Sequence, residues 1–209
     1  MNSLLIIGAG GHGRVLADAA MAMNRWGLLC FLDDREDLTE VLGLQVISGC
    51  ERLPEVAHDF SAAAVGIGNA VTRLSFIEQC KQIGLELPVV VHPSAAVSSF
   101  ASLGYGTVVF AQAAVNAGAR LGPGCIVNTG ATVDHDCDLA AGVHVCPGAH
   151  LGGDVRVGQR TWIGVGSCVK QGIVIGEDVT VGAGAAVVSD AGSTCILTGV
   201  PARSTAASK

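Results

Sequence analysis

The stretch Asp134-His135-Asp136-Cys137-Asp138 places three carboxylates and an imidazole within five residues, in a region otherwise made of aliphatic, small and glycine residues. An imidazole titrates near neutral pH, and a neighbouring carboxylate orients the ring and supports its cation. His135, with Asp136 beside it, therefore has the makings of a general base that removes a proton from an attacking nucleophile. Polarity this concentrated costs folding energy unless it is used. Nine residues on, His144 stands between Val143 and Val145. His92 and His150 read as structural and His58 as a surface residue, whereas His12 lies in a glycine turn where a ligand can meet it.

That turn is the second constellation. Gly8-Ala9-Gly10-Gly11-His12-Gly13 follows an apolar run at residues 4–7, and Asp33 or Asp34 supplies an acid about 20 residues later. Glycines at 8, 10 and 13 match the dinucleotide fingerprint, in which the first amides of a helix face a phosphate. A complete dinucleotide site needs a second mononucleotide half, and about 90 residues provide only one. The expectation is a half-Rossmann domain that holds one nucleotide or a phosphate sugar, and not NAD.

Cysteine adds little chemistry. The eight cysteines include no C-x-x-C pair and sit among apolar neighbours, as reduced core thiols of a cytoplasmic protein do. Cys137 near His135 does not make a ligand cluster, so no metal is expected. Cys146 is a conceivable nucleophile, but no His–Cys pair is evident.

The element that positions His135 is a repeat. Stepping by six from Val91 to Val187 gives 17 positions, all Val, Leu or Ile, without a slip over 97 residues. The position four later is usually small, as in Ala95, Ala101, Thr107, Ala113, Ala119 and Cys125. Glycine often follows the aliphatic residue, as in Leu121-Gly122, Val157-Gly158 and Val181-Gly182. A period of six is neither helical nor simply alternating, and it matches a parallel β-helix in which each hexapeptide makes one short strand and a turn. Three hexads make a coil of 18 residues, and coils stack at roughly 4.8 Å. Five to six coils give a prism roughly 25 Å tall.

Before the repeat the pattern changes. Strands are expected at residues 4–7, 28–32, 44–47 and 63–67, with helices at about 12–24, 51–57 and 70–83. Val15, Leu16, Ala19, Ala20 and Met23 would form the buried face of the first helix. Leu74, Ile77, Cys80 and Ile83 would do so in the third. This alternation predicts a parallel sheet and a domain boundary near residue 90, giving domains at 1–90 and 91–209.

Composition limits the function classes. Of 209 residues, 50% are hydrophobic and 14% charged, so the chain can offset its ordering entropy and is not disordered. Net charge is −6, with 11 acids against 6 bases before residue 91 and 7 against 6 after it. No basic block offers a nucleic-acid or polybasic membrane surface. Apolar runs are too short to span a bilayer, and the start reads as a buried strand rather than a signal peptide.

These motifs together resemble the bacterial hexapeptide-repeat sugar acetyltransferases that carry an N-terminal half-Rossmann domain. That group includes N-acetyltransferases of nucleotide-linked 4-amino-4,6-dideoxy sugars, of the bacillosamine and perosamine type, and sialic acid O-acetyltransferases. The resemblance rests on Gly8 to Gly13 with His12, Leu32-Asp33-Asp34, Gly66-Ile67-Gly68-Asn69, Asn128-Thr129, Asp134-His135-Asp136, His144 and Gly199-Val200-Pro201-Ala202-Arg203. Several relatives carry Glu where this chain has Asp136. The resemblance implies a half-Rossmann domain followed by a left-handed parallel β-helix, assembled as a homotrimer with acetyl-CoA between adjacent prisms. It implies His135 as catalytic base supported by Asp136, with Asn128, Asp134 and His144 lining the same cleft. Gly153 would offer its N–H to the thioester oxygen, Val165 and Ala183 would follow the CoA arm, and Arg203 would approach the CoA phosphates. Gly11, His12, Gly13, Asp33, Asp34 and Asn69 would hold the nucleotide-linked amino sugar. An amine or a hydroxyl acceptor remains open at this level. A non-catalytic scaffold would not need His135 between two acids, and a zinc carbonic anhydrase would need a His spacing that is absent.

Overall fold

The computed structural model describes residues 2–205, and its chain divides into two compact units, one ending at Pro93 and the other starting at Ser94. The outermost residues of the two expected domains, residue 1 and residues 206–209, lie outside the described part.

In the first unit the order is β1 (Ser3–Ile7), α1 (Gly11–Ala22), β2 (Leu28–Leu32), β3 (Glu40–Val41), β4 (Leu44–Ser48), α2 (Leu53–Val56), β5 (Ala62–Val65) and α3 (Ala70–Ile83). The sheet order is β3-β4-β2-β1-β5. β1 pairs in parallel with both β2 and β5, so the chain leaves β1 to one side and later returns on the other. Ligands of open α/β sheets bind outside the carboxyl ends of strands at such a switch point. Side chains alternate across the strands, so Leu5 and Ile7, Cys30 and Leu32, and Ala63 and Val65 share one core with Ile77, Cys80 and Leu53. Each fully buried aliphatic chain there contributes about 1.5–3 kcal/mol.

Four expectations need correction. The sheet is not wholly parallel: β3 and β4 form an antiparallel edge hairpin through Leu42 and Gly43, both at positive φ. The expected helix at 51–57 breaks into a 3-10 turn (Cys50–Arg52), the four-residue α2 and another 3-10 turn (Ala57–Asp59); Pro54 has no N–H to give to Cys50 O, which accounts for the first break. On α1 the buried residues are Gly13, Leu16, Ala17, Ala19 and Ala20, while Val15 is 42% exposed. Helix α3 buries Arg73 with Ile77 and Cys80, and Ile83 at its end is exposed.

The second unit is a left-handed parallel β-helix. Two-residue strands recur every six residues, and each pairs with the strand 18 residues on, as Val115 does with Val133 and Leu121 with Leu139. Three ladders result. One carries Ala96, Ala114, Thr132, His150, Cys168 and Ala186 on its strands. Another carries Ser102, Arg120, Asp138, Arg156 and Val174. In the third, Ile126, His144, Trp162 and Thr180 follow one another and the antiparallel pair Ile196–Thr198 and Arg203–Thr205 ends the stack. The repeat's aliphatic residues from Val109 to Val187 are all buried. The position four later is small in the early coils but is filled by Val143, Val155, Ile173 and Val179 further on, all buried. Glycine after the aliphatic residue has a steric cause: a Cβ on Gly122 would lie 2.8 Å from Ala141 N in the next coil. The second residue of each turn from 106 to 184 adopts positive φ, and five of these are not glycine: Gln112, Asp136, Asp154, Arg160 and Asp178.

Candidate functional site

His135 and Asp136 form one two-residue turn of the β-helix. His135 Nδ1 lies 2.9 Å from Asp136 Oδ2. A carboxylate can only accept, so Nδ1 carries the proton and Nε2 bears the lone pair. Asp134 holds the turn from the other side. Its Oδ1 accepts the His135 N–H at 2.8 Å and the Asn116 side-chain amide, one coil earlier, at 2.7 Å. The Asn116 bond leads in keeping the Asp134 carboxyl below its usual range. The hydrogen bond to Asp136 leads in raising the His135 pKa, with the charges of Asp134, Asp136 and Asp154 adding to it.

Two glycines make room for this pair. A Cβ on Gly118, one coil before, would lie 2.5 Å from Asp136 Oδ1. A Cβ on Gly153, one coil after, would run into Nε2 and Cε1 of the His135 ring. Asp136 itself sits at φ +59, a left-handed conformation that Asp tolerates better than most residues. Sequence reading placed the imidazole and carboxylate together but did not foresee that conformation. The six-residue spacing from Gly118, Gly124 and Gly130 to Asp136 was the available signal.

His144 lies on a strand of the third ladder that leads into another corner. It is buried, its Nε2 lies 3.0 Å from Asn128 Nδ2, and its ring meets Trp162 edge-on with centroids 4.3 Å apart. Val165 and Ala183 stack at this corner one coil apart, with Gly184 N donating to Val165 O at 2.8 Å. Within one chain, then, Asp134, His135, Asp136 and Gly153 share one corner, Val165 and Ala183 share another, and His144 reaches Asn128 from its strand. The strand Thr132–Val133 separates the two sets. Arg203 stands apart in the terminal strand Arg203–Thr205 and lines a cavity of about 370 Å³ with Asp190, Ser193 and Cys195.

The cysteines behave chiefly as core. All eight are free thiols and six are buried, but Cys168 is exposed and so departs from the expected core role. Burial pushes the Cys146 thiol up to about 12, which leaves it protonated and a poor nucleophile near neutral pH. Among the described residues no group of three or more His, Cys, Asp or Glu could hold a metal ion. No described helix is long and apolar enough to cross a membrane.

The glycine turn of the first unit is built by close backbone approach. A Cβ on Gly13 would run into Gly8 O, and one on Gly66 would lie 2.6 Å from Gly13 Cα. The end of β5 and the β1–α1 turn can therefore touch only as glycines. The first bond of α1 runs from Arg14 N to Gly10 O at 2.9 Å, so the amides of Gly11, His12 and Gly13 precede the helix's own ladder. A cavity of about 440 Å³ opens here, lined by Gly10, Gly11, His12, Asp33, Arg35 and Gly68 among others. That volume is in the range of small-molecule sites.

The charged groups around this cavity are tightly placed. Asp33 Oδ2 accepts Ala9 N at 2.7 Å and Arg35 Nη2 at 3.0 Å, and Oδ1 accepts Arg35 Nε at 2.6 Å and Arg35 N at 3.2 Å. The Arg35 guanidinium leads in lowering the Asp33 pKa to about 2. Asp34 Oδ1 accepts Cys50 N at 2.7 Å. Asn69 caps α3, its Oδ1 accepting Thr72 N at 3.0 Å. Buried Arg73 donates to Ile67 O at 2.9 Å and Gly68 O at 2.6 Å, fixing the loop after β5. Burial first, and the charge of Arg73 second, pull the His12 pKa down to about 4, so the ring is neutral at pH 7. Neither arginine was singled out from sequence. Arg73 shares a helical face with Ile77 and Cys80, which was a usable signal, whereas the role of Arg35 emerges only from the folded turn.

Comparison with known proteins gives the same two-part organisation. Residues 3–80 match the PglD N-terminal domain and residues 154–189 match the hexapeptide repeat of succinyl-transferase. The acetyltransferase domain of PglB from Neisseria gonorrhoeae is 44% identical over 98% of this chain and 100% of that one, with a TM-score of 0.94. The same domain has been solved in complex with acetyl coenzyme A. PerB from Caulobacter crescentus, in complex with CoA and GDP-perosamine, is 37% identical over 98% of both chains with a TM-score of 0.91. A variant of perosamine N-acetyltransferase from the same organism, also with CoA and GDP-perosamine, is 36% identical with a TM-score of 0.93, covering 98% of this chain and 97% of that one. No match was found among curated protein sequences.

Proposed function

The chain belongs to the hexapeptide-repeat sugar acetyltransferases with a PglD N-terminal domain, and from that premise we propose that it transfers an acetyl group from acetyl-CoA to the amino group of a nucleotide-linked 4-amino-4,6-dideoxy sugar. The observation that carries this reading is the His135–Asp136 pair, with Nδ1 tied to the carboxylate at 2.9 Å. That bond gives Nε2 the lone pair and aims the chemistry at one atom.

The step is direct transfer. The neutral amine nitrogen attacks the thioester carbonyl carbon as His135 Nε2 takes the amine proton. The C–N bond forms, and the C–S bond breaks to release the CoA thiolate, which the imidazolium can reprotonate. Asp136 holds the ring and balances its developing charge. Gly153, stacked above the ring, is the residue whose N–H would meet the carbonyl oxygen as it gains charge. The high Cys146 pKa supports this route over an acyl-cysteine one.

The ligands divide between the units. Gly11, His12, Gly13, Asp34 and Asn69, with Asp33, serve the nucleotide part. Asn128 and Asp134 serve the sugar substrate, His144, Gly153, Val165 and Ala183 serve acetyl-CoA, and Arg203 approaches its phosphates. The family resemblance supports a homotrimer with acetyl-CoA between adjacent prisms, and the placement of the two sets of β-helix residues on different parts of one prism fits a cleft built by two copies. Eight free thiols fit a cytoplasmic enzyme.

Thiol release from acetyl-CoA, measured against a panel of UDP- and GDP-linked amino sugars and free sialic acids, tests the reading. Turnover only with the amino sugars is expected. Turnover only with a sialic acid would move the chain to O-acetyl transfer.

A further inference from the structure

Asp33 has no acceptor capacity left for a ligand. A carboxylate offers about four lone-pair sites, and this one accepts Ala9 N, Arg35 N, Arg35 Nε and Arg35 Nη2. The acid that a dinucleotide fingerprint would turn towards a ribose is here committed to the turn and to an arginine.

Arg35 is placed differently. Its bidentate grip on Asp33 uses two of the five guanidinium N–H groups, and the side chain is 47% exposed against 12% for Asp33. It lines the cavity at the glycine turn and also a neighbouring cavity of about 440 Å³ that includes Thr39, Ser48, Gly49 and Glu51. Among the residues around the first cavity it is the one cationic side chain, since His12 there is neutral at pH 7. Without it, the carboxylates of Asp33 and Asp34 would oppose an anion at the amino end of α1.

We infer that Arg35, held by Asp33, is the side chain that grips the phosphates of a nucleoside diphosphate in this cavity, and that Asp33 acts through Arg35 rather than on the ligand. The inference rests on the nucleotide-binding reading of the first unit. A planar guanidinium fixed at one edge presents its remaining donors to phosphate oxygens with little further ordering, which a lysine cannot reproduce. Asp33 is then a positioning residue that ties the amide of Ala9 and the guanidinium into one frame.

Calorimetric titration of the full chain with UDP, GDP, uridine and guanosine tests it, using wild type, Arg35→Met, Arg35→Lys, Asp33→Asn and the Asp33→Asn/Arg35→Met double variant. Arg35→Met should weaken UDP or GDP binding about 10–100-fold, the range of a lost charge-assisted contact, while changing nucleoside binding by less than about twofold. Arg35→Lys should fall between, and it carries the test should the methionine variant not fold. Asp33→Asn should lose affinity alone but little more in the Arg35→Met background. Unchanged diphosphate binding in Arg35→Met, an equal loss for nucleosides, or a full additive loss in the double variant would each overturn the inference. Failure of wild type to bind either diphosphate would instead overturn the nucleotide reading itself.

Discussion

Asp136 occupies the second turn position at φ +59, where the neighbouring coils often place glycine, and its carboxylate fills the space left by Gly118. A non-glycine residue there costs about 1–2 kcal/mol, and the return is a carboxylate locked on His135 Nδ1. The consequence can be read in pH. Asp136 raises the His135 pKa, and a general base works only unprotonated, so wild-type kcat/KM should rise with pH through a value above that of ordinary imidazole. Asp136→Asn removes the leading cause, so the rising limb should shift to lower pH while the plateau falls through lost orientation. A limb that stays in place would separate Asp136 from the titrating base. The imidazole and its acid were legible from residue types and adjacency alone. So was the place of His144 half an 18-residue coil further on, whereas its contact with Asn128 was not, because that contact forms only once the coil has closed.

Elements decide how near backbones may come. The glycine fingerprint predicted a tight turn, and the structure adds its third partner: Gly66 at the end of β5 lies against Gly13 and Gly8. Gly66→Ala should therefore cost about 1–3 kcal/mol, as overpacking does, and weaken nucleotide binding. Gly10→Ala is the contrast. Nothing lies within 4 Å of where its methyl group would sit, and its φ is −71, so it should keep its denaturation midpoint close to wild type. Equal midpoints for both variants would contradict the close-approach account. The hexads were legible because each inward position repeats the same demand on side-chain shape. The hairpin of β3 and β4 was not, because the two-residue β3 carries too little pattern and Leu42, a residue type that does not announce it, adopts positive φ.

The whole molecule must supply what a single prism lacks. Corner residues 134–136 and the pair Asn128–His144 lie on either side of the strand Thr132–Val133, the separation on which the proposed assembly of copies rests. In the proposed ring of three copies, the corner of His135 in one would face the Asn128–His144 side of the next. Equilibrium sedimentation should give three times the 21.0 kDa chain mass, and a monomer at micromolar concentration would contradict the assembly. Refolding His135→Ala chains together with His144→Ala chains should restore part of the activity that each lacks, since some clefts then regain both walls. The central claim is acetyl transfer to a sugar amine with His135 as base. Its most direct test is acetyl-CoA thiol release with a UDP- or GDP-linked 4-amino-4,6-dideoxy sugar, comparing wild type with His135→Ala and identifying the product by mass. The account predicts an N-acetylated sugar from wild type and a loss of about 10²–10⁴-fold in the variant, with acetyl-CoA still bound. Wild-type turnover in His135→Ala, or an acetyl group found on a hydroxyl, would contradict it.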